Sequence, residues 1–175
     1  MKLQGSCHCG AVRFSMVSHT PQPYMRCYCS ICRKTQGGGG YAINIMGEAP
    51  TLKVAGHRSI AVYRARLPGP GRRSRLSGAR RHFCRKCGSA LWVSDPEWPQ
   101  WVYPFASAID SKLPVPPERE HVMLEFAAPW VEVPRGRHDR RFTGYPRDSI
   151  EDWHKKRGLY GKGRVARGRR RATAS

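Results

Sequence analysis

The sequence predicts a mainly β fold, and three observations favour this class. The 175 residues include 14 prolines and 18 glycines, which favour turns and short strands over long helices. Several segments alternate apolar and polar residues with the period of two that is typical of half-buried strands. Seven cysteines occur in three clusters, and clustered cysteines of this kind often bind a metal that stabilises a small domain.

The strand candidates follow one another from the N-terminus. Residues 1–17 read as strand, turn and strand, and the second strand contains the alternating segment "AVRFSMV". A helical turn is expected at 32–36, before four glycines at 37–40. Residues 67–81, "LPGPGRRSRLSGARR", are predicted to form a polar, basic loop. Further strands are predicted at 41–45, 51–56, 60–67, 101–109 and 121–127, and residues 82–94 read as a cysteine knuckle that runs into a strand.

One short helix is predicted near the C-terminus, at residues 150–157. Ser149 is a suitable N-cap residue, and Asp152 lies at the third helical position, as in a capping box. Gly158 follows the last predicted turn and favours the end of the helix there.

Composition divides the chain into three predicted parts. Residues 1–133 hold all the cysteines and form the predicted zinc-binding β domain. Residues 134–160 form a C-terminal extension with the short helix. Residues 161–175 form a basic tail with too little apolar content for a core, so we expect this tail to be disordered.

The formal net charge is +20, from 32 Lys and Arg against 12 Asp and Glu. Such a charge attracts polyanions and small acidic ligands alike, so it does not choose between nucleic acid and an acidic metabolite. A solvated basic surface explains it equally well. No segment approaches the ~20 apolar residues of a membrane span, and the N-terminus lacks the apolar region of a signal peptide. We therefore expect a cytoplasmic protein without a membrane partner.

Two cysteine pairs have the spacing of a structural zinc site. Cys7 and Cys9 are two residues apart, so on an extended segment both thiols point to one side. Cys84 and Cys87 form C-x-x-C before Gly88, a turn that aims both sulfurs at one point. Together the pairs supply four thiolates, as in closed tetrahedral zinc sites. Redox chemistry at the second pair is the weaker alternative, because no thioredoxin-like strand and helix surround it.

The remaining cysteines, Cys27, Cys29 and Cys32, can converge without help from distant residues. Three thiolates leave one tetrahedral position for water or substrate, as in catalytic zinc sites. Alternatively, His57 or His82 could complete the site and make it structural. Other partitions of seven cysteines into two sites also remain open.

Three segments, "GSCHCGAVRF", "RCYCSICRKTQG" and "RRHFCRKCGSAL", together resemble the glutathione-dependent formaldehyde-activating (Gfa-like) family, whose relatives include centromere-protein-V-like proteins. The motifs cover residues 5–91 in the family's order. The resemblance implies small β-sheets of the Mss4-like (β-tent) type. It also implies a structural zinc on the first and last cysteine pairs and a second, catalytic zinc on the triplet, where occupancy could be partial.

The resemblance further implies a zinc-dependent carbon–sulfur lyase acting on adducts of an aldehyde with glutathione or another thiol, of the S-(hydroxymethyl)glutathione synthase type. Glutathione would then be a substrate, and Arg33 and Lys34 are candidate contacts for its carboxylates. The alternative is a non-catalytic zinc module that binds nucleic acid, for example through the basic tail, or a protein partner. The sequence does not indicate an oligomeric state.

Overall fold

Short strands dominate the chain, which confirms the predicted mainly β class. The computed structural model describes residues 1–36, 38–69 and 73–162. The two α-helices are α1 (Ser30–Gln36) and α2 (Ile150–Lys156), and 3₁₀ turns cover Ala49–Thr51, His57–Ser59, Ala106–Ala108 and Leu124–Phe126. In chain order the strands are β1 (Lys2–Ser6), β2 (Arg13–Val17), β3 (Met25–Cys27), β4 (Ala42–Ile43), β5 (Gly47–Glu48), β6 (Lys53–Ala55), β7 (Ile60–Tyr63), β8 (Arg66–Pro68), β9 (Ser74–Leu76), β10 (Arg80–Cys84), β11 (Ala90–Ser94), β12 (Trp101–Pro104), β13 (Arg119–Val122) and β14 (Asp139–Arg141).

The described strands form four sheets. The largest has the order β5-β12-β11-β10-β7, and a three-stranded sheet has the order β1-β2-β6. A four-stranded sheet has the order β14-β13-β3-β4, in which β13 runs parallel to both of its neighbours. The strands β8 and β9 form a separate two-stranded hairpin.

The first core cluster lies between the three-stranded and five-stranded sheets. Alternate residues of β1 and β2 point into it, and the ring of Phe14 meets Trp92 edge-on at 5.2 Å. The 3₁₀ turn at Ala106–Ala108 approaches β1 so closely at Gly5 that a Cβ there would lie 2.3 Å from both the Ala108 carbonyl oxygen and the ring of Phe14 on β2. Only glycine fits at this position without displacing the backbone.

A second core cluster forms around β3, β13 and α2. Trp153 of α2 is fully buried and stacks on Tyr24 at a centroid distance of 3.7 Å. The side chain of Ser149 accepts from the Asp152 N–H, and the Asp152 carboxylate accepts in return from the Ser149 N–H, as in a capping box. The helix ends one residue earlier than predicted, at Lys156.

The predicted basic loop at 67–81 is wrong in part. Pairing of β8 with β9 makes most of this stretch an exposed hairpin, and β10 already begins at Arg80. Backbone pairing stabilises these polar strands, and no alternation of apolar residues marks them in the sequence. The hairpin also divides the strand predicted at 60–67 into β7 and β8.

Two parts of the C-terminal region belong to the second core. Strand β14 pairs with β13, and Ile150 and Trp153 of α2 pack into the cluster. The division at 133/134 stays a prediction. The tail prediction at 161–175 lies outside the described residues from 163 onward. No helix in the described ranges has both the length and the apolar character needed to cross a bilayer.

Candidate metal centres

Two hairpin turns bring the outlying cysteine pairs together. Cys7 and Cys9 lie in the turn between β1 and β2, and Cys84 and Cys87 lie at the turn between β10 and β11. The turns share one design: the N–H of Gly10 donates to the Cys7 carbonyl, and the N–H of Gly88 donates to the Cys84 carbonyl. Both glycines have positive φ, at 72° and 74°, which allows each turn to close tightly.

The four sulfurs of these turns all lie within 4.8 Å of one another. The Cys7 and Cys9 sulfurs are 3.6 Å apart, the Cys9 and Cys84 sulfurs are 3.8 Å apart, and all four thiols are free. A hydrogen bond from Ser89 lowers the pKa of Cys87 to about 5. Four convergent sulfurs, one of them readily ionised, fit a structural zinc ion in chemistry and number. We name this set the four-cysteine site.

The triplet forms a second cluster at the end of β3. Cys27 closes β3, Cys29 lies in the connection, and Cys32 lies in the first turn of α1. Their sulfurs also lie within 4.8 Å of one another, and the backbone N–H of Cys32 is 3.4 Å from the Cys29 sulfur. Cys27 and Cys32 are buried, whereas Cys29 is half-buried. We name this set the three-cysteine site.

The short distances between the three sulfurs change the pKa of each thiol in the three-cysteine site. Hydrogen bonds from Cys27 and Cys32 lower the pKa of Cys29 to about 2. The contact with Cys29 in turn raises the pKa of Cys27, and the neighbouring thiols and burial raise the pKa of Cys32. One thiolate therefore forms readily, while full ionisation needs a compensating cation. This donor set fits zinc as a three-thiolate ligand.

No fourth histidine, cysteine or carboxylate joins these three sulfurs within the described residues. His82 is directed elsewhere: its Nε2 atom is 3.1 Å from the Ser94 hydroxyl, and its ring stacks on Trp92 at 5.0 Å. His57 lies beside His82 in a surface groove lined by Trp92 and Pro99. Neither candidate histidine therefore completes the three-cysteine site.

Tyr145 is a site residue that the sequence reasoning missed. Its hydroxyl oxygen lies 3.8 Å from the Cys27 sulfur, although 65% of the residue is exposed. Loss of solvation and the neighbouring Cys27 raise the pKa of Tyr145, so the hydroxyl keeps its proton. Hydrogen bonding of Gly144 to Met123, just after β13, holds this segment beside Cys27. No motif near Tyr145 marks it in the sequence.

A buried polar chain supports the backbone between Cys27 and Cys29. The hydroxyl of Tyr28 lies 2.9 Å from His121 Nδ1, and His121 Nε2 lies 3.0 Å from an Asp139 carboxylate oxygen. Arg119 donates to that carboxylate at 2.9 Å. Tyr28 and His121 are fully buried, so this chain fixes the position of the residue between two cysteines.

The residues predicted to contact glutathione lie on α1, directly after Cys32. Arg33 is half-buried and its Nε atom has no hydrogen-bond partner among the described residues, whereas Lys34 is exposed.

Packing explains part of the glycine run at 37–40. A Cβ on Gly40 would lie 2.3 Å from the Val131 side chain, and its φ is +80°. Gly37 lies outside the described residues.

Comparison with known proteins gives a family match, a similar protein and a similar solved structure. Residues 2–124 match the model of the family described as "Glutathione-dependent formaldehyde-activating enzyme". A Halomonas elongata protein named "Putative glutathione-dependent formaldehyde-activating enzyme" is 58% identical over 159 residues, which is 91% of this chain and 98% of that protein. A crystal structure of a Rhodobacter sphaeroides protein is 26% identical, with a TM-score of 0.46 over 65% of this chain and 92% of that one.

The family has an Mss4-like fold of small β-sheets, and the sheets described above agree with that class. The family match spans the four-cysteine and three-cysteine sites but ends before Tyr145. The chain belongs to the glutathione-dependent formaldehyde-activating family.

Proposed function

We propose that this protein is a zinc-dependent carbon–sulfur lyase of the S-(hydroxymethyl)glutathione synthase type, which reversibly joins formaldehyde to the thiol of glutathione. The observation that carries the proposal is the three-cysteine site, whose sulfurs converge without a fourth protein ligand among the described residues. Family membership and the name of the Halomonas elongata relative support glutathione and formaldehyde as the reactants.

The two cysteine clusters would hold two zinc ions with different roles. Cys7, Cys9, Cys84 and Cys87 would hold a structural ion, because four thiolates complete a tetrahedral shell. Cys27, Cys29 and Cys32 would hold the catalytic ion. A zinc ion there would supply Lewis-acid stabilisation to an incoming thiolate near neutral pH.

The chain's own residues then act on the reacting atoms. In the forward direction the glutathione sulfur loses its proton and forms a bond to the formaldehyde carbon, and the carbonyl oxygen gains a proton. The protonated hydroxyl of Tyr145 lies beside Cys27 and donates a hydrogen bond to that oxygen as its negative charge develops. Cleavage in the reverse direction uses the same contact.

Positive charge on the protein would attract glutathione to the three-cysteine site. Glutathione is anionic near neutral pH, and the net charge of +20 attracts it over a distance. Arg33 follows Cys32 on α1 and has an unpartnered guanidinium N–H, so it is the better candidate for a carboxylate contact. Lys34 is exposed on the same helix and would contribute mainly long-range attraction.

Two further proposals concern the cellular location of the protein and the division of the chain into domains. Free cysteines in both clusters suit a reducing compartment, which supports a cytoplasmic location. The β domain at 1–133 would carry both metal sites, while the extension at 134–160 would contribute Tyr145 and α2.

The test is the rate of exchange between formaldehyde, glutathione and their adduct, measured by NMR exchange spectroscopy with zinc-loaded protein. We expect acceleration that scales with protein concentration and disappears in a Cys29→Ser variant. A parallel series with cysteine and with coenzyme A separates glutathione from other thiols. Absence of acceleration at full zinc loading would rule out the formaldehyde reaction.

A further inference from the structure

The segment from His57 to Lys86 has an unusual charge composition. It contains nine arginines and one lysine and no aspartate or glutamate. It includes β7 and β10, which form one edge of the five-stranded sheet. It also includes the β8–β9 hairpin, which connects β7 to β10. The positive charge is therefore concentrated at one end of this sheet.

The positive charges of this segment are not neutralised within the described residues. None of the ion pairs there includes an arginine from it. The guanidinium groups instead donate to uncharged acceptors: Arg64 to the Ser77 carbonyl at 2.8 Å and Arg85 to the Ile60 carbonyl at 2.9 Å. Their charge stays available to an anionic partner.

Strand register gathers aromatic side chains on the face next to this charge. Arg81 of β10 lies opposite Tyr63 of β7 and Val93 of β11, and Val93 lies opposite Tyr103 of β12. Directly opposed residues share a face, and so does Phe83, two residues after Arg81. Three aromatic rings from three strands therefore share one face with an arginine.

This face is open at its β7 edge and covered at its centre. Tyr63 retains 46% of its accessible surface, Phe83 and Tyr103 are half-buried, and Val93 packs against the second core cluster. The opposite face carries Trp92, Val102 and Cys84, which are buried in the first core cluster. Two guanidinium nitrogens of Arg81, Nε and Nη1, are buried and have no hydrogen-bond partner among the described residues.

We propose that this face, together with the β8–β9 hairpin, binds single-stranded nucleic acid. Aromatic rings on a sheet surface stack unpaired bases, and nearby arginines contact the phosphates. The basic stretches of the sequence lack interleaved aromatic residues, which argues against a stacking platform. The register answers that objection at the β7 edge, where the exposed ring of Tyr63 lies opposite Arg81. Binding here is separate from the three-cysteine site and does not depend on the proposed reaction.

The experiment uses the full-length, zinc-loaded protein and fluorescence anisotropy with short oligo(U) RNA, oligo(dT) DNA, the corresponding duplexes, and heparin as a competitor. We expect both single strands to bind more tightly than the duplexes. A preference between RNA and DNA would identify the natural ligand. Binding should weaken with salt, as expected for phosphate contacts.

Two variants test the two parts of the surface. Tyr63→Ser removes an exposed ring and should lower single-strand affinity about tenfold, leaving the salt dependence unchanged. Arg73→Ser with Arg75→Ser, two exposed arginines on the same face of the hairpin, should reduce the slope of log affinity against log salt by about 1.4. The charge-matched control is Arg135→Ser with Arg137→Ser, two exposed arginines outside the segment, which should change affinity little.

Thermal unfolding and adduct exchange should stay at wild-type values in the Tyr63→Ser and Arg73→Ser/Arg75→Ser variants. These two measurements separate a binding defect from misfolding or loss of the three-cysteine site. Equal affinity for duplex and single strand, or wild-type affinity in Tyr63→Ser, would overturn the proposal. The proposal would also be overturned if the control pair of substitutions weakened binding as much as the hairpin pair.

Discussion

Tyr145 connects the C-terminal extension to the three-cysteine site through a single hydroxyl group. The oxygen lies 3.8 Å from the Cys27 sulfur, close enough to reach a small aldehyde bound beside the cluster. A tyrosine hydroxyl is protonated at neutral pH, and burial together with Cys27 raises the pKa of Tyr145 further, so the group is available as a donor. The tyrosine completes an environment that otherwise contains mainly sulfur and apolar side chains.

Tyr145→Phe removes the donor but keeps the ring. We expect adduct exchange to slow about tenfold to a hundredfold, because a hydrogen bond to the developing oxyanion is lost. Zinc content should stay unchanged, since the hydroxyl is not a metal ligand. NMR exchange rates and metal analysis measure the two quantities. Tyr160→Phe, whose ring stacks on His19, is the control, and equal rates in both variants would contradict the role of Tyr145.

Among the strands, β13 links the C-terminal extension to the three-cysteine site. It pairs with β3, which carries Cys27, and with β14 from the extension. Glu120 in its middle is 5% exposed, and one of its carboxylate oxygens has no hydrogen-bond partner among the described residues. Burial raises the pKa of Glu120 from 4.5 to about 7, with Arg157 of the α2 end opposing the shift.

Glu120 should make stability depend on pH. Between pH 4.5 and about 7 the folded protein holds a proton that the unfolded chain has released, so the free energy of unfolding falls as pH rises through this window. Glu120→Gln should remove this loss. We expect it to match wild type near pH 4.5 and to exceed it by about 1–3 kcal/mol at pH 8. Urea unfolding at both pH values measures the difference.

Glu118→Gln provides the contrasting variant. Glu118 pairs with Arg140 and Arg157, so its removal should not stabilise the protein at pH 8. If Glu120→Gln shows the same pH dependence as wild type, Glu120 is ionised in the folded state and the buried proton is absent.

Sequence patterns predict some elements much better than others. The alternation in "AVRFSMV" predicts β2, and Ser149 with Asp152 predicts the start of α2, because both signals are local. The β8–β9 hairpin and β14 lack such signals, since their residues are polar and their strands depend on backbone pairing. The aromatic face depends on register between strands, which the sequence alone does not reveal.

At the scale of the whole molecule, the two cysteine sites occupy different structural positions. The four-cysteine site joins the β1–β2 hairpin to the β10–β11 hairpin, and therefore connects two sheets. The three-cysteine site lies within one local segment and crosses no such junction. Spacing alone suggested this grouping. The roles of these cysteines as zinc ligands remain predictions, as do the proposed glutathione contacts.

Removing each metal site should therefore have a different consequence. We expect two zinc ions per wild-type chain and one in the Cys27→Ser/Cys29→Ser/Cys32→Ser variant, which should retain its fold. Cys7→Ser/Cys9→Ser should instead unfold the domain or lower its melting temperature severely, because structural zinc contributes ~10–16 kcal/mol in small zinc domains. Metal analysis and circular dichroism distinguish the variants. Unfolding of the triple variant would assign a structural role to the three-cysteine site.

The parallel pairing of β3 with β13 has a consequence for synthesis on the ribosome. Cys27, Cys29 and Cys32 emerge early, whereas the strand beside them and Tyr145 emerge much later. The nascent chain therefore presents three close thiols before their protective neighbours exist. Metal capture at this stage would shield the thiols from oxidation. The order of translation would therefore favour metal loading at the three-cysteine site before the fold is complete.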